Sequence, residues 1–257
     1  MTPALQSRID QAARLVAEAL ARYPAAAFAT SYGAEDMVLL DLLDRLGAPV
    51  EAFTLDTGRL HEQTYALMAA ARSRYRLAVR VLFPDAAALE PFVARHGVNA
   101  FYDGVELRQA CCRIRKLEPL ARALAGRQLW ITGLRREQSV TRTAIEPLEH
   151  DAANGLMKLS PLIDWTEADV RAYVDAFDVP VNALHAQGYP SIGCAPCTRA
   201  VAPGEDARAG RWWWELPTQR ECGLHVAPDG RLSSPPLVFT SGSRIEAQLL
   251  PLVLVRT

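Results

Sequence analysis

The sequence predicts an α/β fold built on a parallel sheet with helices on both faces, and three observations carry that expectation. Short apolar runs of strand length alternate with longer helical stretches through the first half of the chain. The runs are near-continuous in apolar character, the pattern of strands buried on both faces. Each connection is long enough to hold a helix, as parallel neighbours require. With 257 residues, half of them apolar, the chain has material for one large core.

Residues 3–22 form an Ala- and Leu-rich amphipathic pattern with Arg8, Arg14 and Arg22 spaced along it. "AAAFAT" (25–30) reads as a buried strand, "SYGAED" (31–36) as a turn, and "MVLLDLLDRLG" as the helix that follows. "VEAFTL" (50–55) is the next strand, leading through "DTGR" to a helix over roughly 60–76 and a strand, "LAVRVLF" (77–83). A helix over 86–96 and a longer one reaching about 125 precede the strand "QLWITG" (128–133). "TEADVRAYVDAF" (166–177) opens on Thr166 and Asp169, a capping-box-like start for a helix. From 180 onward Pro and Gly punctuate the chain with little periodicity. Such a region needs something besides its own core to order it, and a metal centre would do so.

Composition narrows the function classes. The net charge of −1 provides no basic field for nucleic acid. No apolar run reaches the 18 or more residues of a membrane span, and "MTPALQSRID" is no signal peptide. Five cysteines, an odd number, argue against a disulfide framework and for the reducing cytoplasm.

Cys111 and Cys112 are adjacent, and Cys194 and Cys197 stand at C-x-x-C spacing. Neighbouring thiols make a strained disulfide and diverge on a helix, which suits a single tetrahedral ion poorly. An iron–sulfur cube, whose iron corners each take their own thiolate, suits splayed neighbours better; C-x-x-C alone is also found in zinc and redox sites. The plain alternative is that Cys111 and Cys112 are small buried apolar residues. Arg113, Arg115, Lys116 and Arg199 flank the two pairs and would stabilise an anionic centre, unless they form a solvated face. Cys222 lies between Arg220 and His225 beside Gly223, the setting of a mobile nucleophile or of an incidental cysteine. "SYGAED" turns a strand into a helix and could hold phosphate on backbone N–H groups, although it is no Walker A loop. "LDTGR" and "TGLRREQSVTR" follow neighbouring strands, the latter bringing Arg135, Arg136 and Arg142, while Arg208 and Arg211 could close over the same edge. Together these loops describe a pocket for a polyanionic nucleotide. Trp212, Trp213 and Trp214 are read as packing rather than as a stacking platform.

In chain order, "SYGAED", "FTLDTGRLHEQTY", "CCRIRK", "WITGLRREQS", "LHAQGYPSIGCAPCTRA", "GRWWWE" and "ECGLH" together resemble the assimilatory adenylyl-sulfate (APS) reductase family, from about residue 28 to 225. The resemblance implies an adenine-nucleotide α-hydrolase-like fold and a 4Fe–4S cluster on Cys111, Cys112, Cys194 and Cys197. It implies that Cys222 attacks the sulfate of APS, releasing AMP and leaving an S-sulfocysteine, from which thioredoxin or a similar thiol donor frees sulfite. Ser31, Gly33, Asp36, Leu55, Thr57 and Gly133 would line the nucleotide site. Arg142, Arg208 and Arg211 would hold the phosphosulfate, His225 would lie near the sulfate, and Lys116 would pair with both cluster and sulfate. The layout so implied is a nucleotide-binding region (1–178), an iron–sulfur and catalytic-cysteine region (179–225) and an atypical tail (226–257). The tail's apolar end could pack on the body or on a second subunit, so a homo-oligomer stays open. The competing readings are a PAPS reductase, a tRNA-thiolation-type enzyme with a four-cysteine metal site, and a non-catalytic iron–sulfur protein.

Overall fold

The computed structural model describes residues 2–138 and 146–216. Helix α1 (Pro3–Arg22) starts at Thr2, whose hydroxyl accepts from the Leu5 amide, and buries Leu5, Ala12, Val16 and Ala19 along one stripe. Strand β1 (Ala26–Ala29) then leads to α2 (Ala34–Leu46), which stops at Gly47 in the left-handed region (φ +59°). The chain continues through β2 (Glu51–Leu55), α3 (Glu62–Arg74), β3 (Val79–Leu82) and α4 (Ala86–His96). Helices α5 (Val105–Cys112) and α6 (Glu118–Leu124) are joined by a π-helical turn, Arg113–Leu117. After β4 (Leu129–Ile131) come β5 (Leu148–Asp151), β6 (Leu156–Leu159) and α7 (Glu167–Phe177).

The strands form one sheet in the order β3-β2-β1-β4-β6-β5, with every pairing parallel except β5 with β6. Periodicity in the sequence assigns no element to 143–165. The hairpin there turns at Asn154 and Gly155, with Gly155 at φ +68°, so an Asn-Gly signal was present. Adjacent residues of a strand point to opposite faces, which splits the core. Phe28, Leu129 and Ile131 pack with α1, α2 and α7 on one face, while Ala27, Phe53 and Trp130 pack with Leu120, Ala123 and Leu124 of α6 on the other. Burying each of the large side chains contributes roughly 1.5–3 kcal/mol.

Two features of this frame position the site. Strand order reverses at β1, whose neighbours are β2 on one side and β4 on the other. A crevice therefore opens beyond the carboxyl ends of β1 and β4. Residues 179–216 then lie over that edge, tied down by long-range bonds: Ala195 N donates to Arg59 O (2.8 Å) and Tyr102 Oη to Pro196 O (2.8 Å).

Candidate functional site

The three loops that leave β1, β2 and β4 meet at the crevice and line a cavity of about 690 Å³. In the first loop, Tyr32 adopts φ +59°, a conformation uncommon outside glycine, with its amide donating to Thr30 Oγ1 (3.0 Å). Ser31 donates from both its amide (2.6 Å) and its hydroxyl (2.7 Å) to one carboxylate oxygen of Asp36 in the first turn of α2. Burial pushes Asp36 up to about 6, against the bonds from Ser31 that favour its charged form. From the β4 loop, Gly133 lies so close to Asp36 that a Cβ there would collide with its carboxylate. Glycine lets the two loops touch.

Of the residues expected to bind nucleotide and sulfate, Ser31, Gly33, Asp36, Leu55, Thr57 and Gly133 all line this cavity. Lys116, Arg208 and Arg211 line it as well, and form its cationic side. Arg142, His225 and Cys222 lie outside the described residues, as does the tail beyond 216. Among the described residues, the two arginines of the β4 loop are already matched by acids. Arg135 lines the cavity, but its charge is met by Glu35 (2.8 Å) and Glu137 (3.0 Å), and Arg136 pairs with Asp164 (2.8 Å). Arg211 is 7% exposed and donates to Ser191 Oγ (3.3 Å) and the Ile192 carbonyl (3.4 Å). Gly193 makes room for it, since a Cβ there would strike the guanidinium.

Beside the cavity, Cys111, Cys112, Cys194 and Cys197 line a second, small pocket with Phe101 and Trp212. Cys111 is half-buried and the other three are buried, none in a disulfide. Cys111 and Cys112 end α5; Cys194 caps the start of a single 3₁₀ turn, Ala195–Cys197, and Cys197 ends it. Among the described residues no three His, Cys, Asp or Glu side chains converge to hold a single metal ion. The four thiols line a common space.

Cationic and polar groups surround these thiols. Thr57 Oγ1 lies 3.2 Å from Cys194 Sγ. Burial raises the Cys194 thiol, but Lys116, the Thr57 hydroxyl, Arg211 and Arg115 outweigh it and hold the group below the ordinary cysteine value. Cys197 is pushed up to about 12, by burial first and then by Cys194. Burial also raises Cys111, with Arg115 opposing. Arg115 is itself buried and donates to the Thr57 carbonyl (2.6 Å). Among the described residues, its Nε and the indole N–H of Trp212 are buried donors with no acceptor, and both residues line the thiol pocket. Buried donors normally find a partner, so a sulfur-rich group seated among the thiols would complete the site.

The four flanking cations named from sequence divide. Arg115 and Lys116 line the thiol pocket, whereas Arg113 is absent from its lining and Arg199 pairs with Glu205 on the surface (2.9 Å). Arg59 and Arg108, not singled out from the sequence, line the pocket instead. Arg108 is 0% exposed, donates to Cys112, and takes Glu215 in a two-pronged ion pair (Nε 2.9 Å, Nη2 2.7 Å). Its signal was its place four residues before Cys112, on the same helix face. Trp212 is 1% exposed and packs with the cysteines, in keeping with its reading as a packing residue.

Lys116 lines both the thiol pocket and the large cavity. The π-helical turn that carries it has a physical cause. Pro119 has no N–H to donate to the carbonyl of Arg115 four residues back, and Glu118 instead donates to Arg113, five residues back.

Comparison with known proteins completes the description. A family model described as the phosphoadenosine phosphosulfate reductase domain matches residues 25–200. A Burkholderia cepacia protein named adenosine 5'-phosphosulfate reductase is 53% identical over 226 residues, covering 88% of this chain and 90% of its own length. One of the same name from Allochromatium vinosum is 52% identical, covering 87% of this chain and 88% of its own. Among solved structures, a phosphoadenylyl-sulfate (PAPS) reductase from Candida auris in complex with phosphate aligns with TM-score 0.64 and 25% identity, over 78% of this chain and 98% of its own. Yeast FAD synthetase shares the fold at 16% identity and TM-score 0.52, over 77% of this chain and 67% of its own.

Proposed function

The chain belongs to the phosphoadenosine phosphosulfate reductase domain family, and from that membership we propose how its cavity and its four thiols divide the work. The protein is an adenylyl-sulfate reductase, an oxidoreductase of sulfate assimilation that reduces APS to sulfite and AMP. The observation that carries the division of labour is the position of Lys116, which borders both spaces.

In this reading the β1, β2 and β4 loops bind the adenylyl group, with Ser31, Gly33, Asp36, Leu55, Thr57 and Gly133 along its walls. Lys116, Arg142, Arg208 and Arg211 meet the phosphosulfate, and His225 joins them near the sulfate. The thiolate of Cys222 attacks the sulfate sulfur: an Sγ–S bond forms, the S–O bond to the phosphate breaks, and AMP leaves with the electron pair. Anion approaches anion in this step, so the ammonium and guanidinium groups offset the repulsion as it develops. They also accept the charge that grows on the departing phosphate. A thiolate of thioredoxin or a similar dithiol donor then attacks Cys222 Sγ. The Sγ–S bond breaks, sulfite departs with its electron pair, and the donor's second thiol resolves the mixed disulfide. Both electrons come from the donor, which fits a reducing compartment such as the cytoplasm.

Cys111, Cys112, Cys194 and Cys197 would hold a 4Fe–4S cluster. The donor set fits: four thiols about one space, with spare N–H donors on Arg115 and Trp212. When bound, that cluster would supply a fixed negative field, and no electron need pass through it. Lys116 would be held between that field and the sulfate.

Sulfite release from APS and from PAPS, measured side by side with reduced thioredoxin, tests the reading. Turnover of APS with little from PAPS is expected. Preference for PAPS would move the protein to the family's other branch.

A further inference from the structure

Arg135 lines the large cavity from the β4 loop and is 6% exposed, with its charge shared between two acids. Its Nε (2.9 Å) and Nη2 (2.8 Å) meet one oxygen of Glu35 in the first turn of α2. Its Nη1 donates to Glu137 (3.0 Å) and to the Trp165 carbonyl (3.4 Å). The same Glu137 oxygen accepts from the amide of Glu167, the first residue of α7 (3.0 Å). The capping box leaves that amide over, because it takes those of Thr166 and Asp169. Next to this hub the Gly133 amide donates to the Asp36 carboxylate, and a Cβ on Gly133 would lie 3.1 Å from Glu35 Cβ. The first turns of α2 and α7 and the β4 loop all line the cavity, and one guanidinium joins the three.

We propose that Arg135 is a positioning residue that clamps the first turn of α2 to the β4 loop and to α7, and so sets the affinity for the adenylyl group without touching the sulfate. The inference rests on the reductase reading above, which puts the sulfate at the cationic end of the cavity. Lys116 and Arg211 both act on Cys194, whose sulfur lies 3.2 Å from Thr57 of the β2 loop, so that end belongs to the β2 flank. Strand β1 separates β2 from β4, which places the two flanks two strand spacings apart, about 10 Å. A guanidinium already matched by two carboxylates has no charge to spare for a sulfate. What it supplies is a planar fork that fixes the two acids, and the helices behind them, in one arrangement. A lysine at 135 would keep the charge and lose the fork, leaving the cavity walls free to drift. Glu137 is absent from the cavity lining, so its route to the nucleotide runs through Arg135 and Glu167.

The test uses the iron-loaded full chain, Arg135→Lys, Glu137→Gln and the double variant. Three quantities are read: Kd for AMP, Kd for APS, and the single-turnover rate at saturating APS. AMP is the decisive probe, because it carries the adenylyl group and no sulfate. Arg135→Lys should weaken AMP and APS by the same factor, about tenfold, while the saturating rate and the iron per chain stay near wild type. Glu137 has a side chain 53% exposed, so Glu137→Gln leaves the core intact. It should weaken both ligands about threefold, and the double variant should bind no worse than Arg135→Lys alone, because both changes act through one contact. Unchanged AMP affinity in both single variants, or losses that simply add in the double variant, would overturn the proposal. So would a loss confined to APS, which would put the guanidinium on the sulfate. A wild-type chain that binds AMP and releases no sulfite from APS would overturn the reductase reading instead, and the AMP affinities would still decide the clamp.

Discussion

Lys116 illustrates how one side chain can serve two spaces, since it borders both the thiols and the nucleotide cavity. If its charge acts on the sulfate, Lys116→Ala should lower kcat for APS by about a hundredfold or more while iron content stays normal. Turnover at the wild-type rate with iron intact would remove it from the mechanism. Asp36 yields a prediction of another kind. Its ordinary value of 3.8 is raised to about 6 by burial, so the folded state holds its proton more tightly than the unfolded chain. This acid therefore costs stability as pH rises from about 4 to 6, by up to roughly 3 kcal/mol once ionised in both states. Asp36→Asn should gain stability relative to wild type over that interval and hold the gain above pH 7, as thermal unfolding at several pH values would show. Such residue-scale features were partly legible. Lys116 stood out from its neighbouring cations through the family resemblance, whereas the close approach of Gly133 to Asp36 joins distant loops. The Glu35 partner of Arg135 likewise lies 100 positions away, which no local pattern reveals.

At the scale of elements, the alternation of helix and strand was readable because the central strands β1, β2 and β4 are buried on both faces and helices such as α1, α2 and α7 bury an apolar side. Helix α7 begins at the capping box expected from Thr166 and Asp169. The π-helical turn at Arg113–Leu117 was not readable, since periodicity places 105–124 in one helix and only Pro119 hints at the break. The β5–β6 hairpin was missed because its strands are short and charged, Leu148–Asp151 above all. Residues 179–216 carry little regular structure, and their anchors are few side chains about the thiols. Removing the proposed cluster should therefore loosen them selectively. Hydrogen exchange on iron-depleted protein should quicken through 194–215 while the amides of β1, β2 and β4 stay protected. Uniform loss of protection would instead make the thiol site a keystone of the whole sheet.

For the molecule as a whole, a sheet that reverses order at β1 creates the crevice, and a loop-rich wrap closes over it with four thiols at the junction. The separation of the two cysteine pairs in sequence made that junction foreseeable, because a shared site had to staple the wrap to the sheet. What sequence left open was which cations face it, since Arg59 and Arg108 line the thiol pocket while Arg199 turns to Glu205. The central claim is that the chain cleaves APS by sulfur transfer to its own cysteine. It is tested most directly by mixing purified protein with APS in the absence of any thiol donor. One AMP should be released per active chain and one sulfo group found by mass spectrometry on Cys222, with neither in Cys222→Ser. AMP release that persists in Cys222→Ser, or a sulfo group on any other residue, would contradict it.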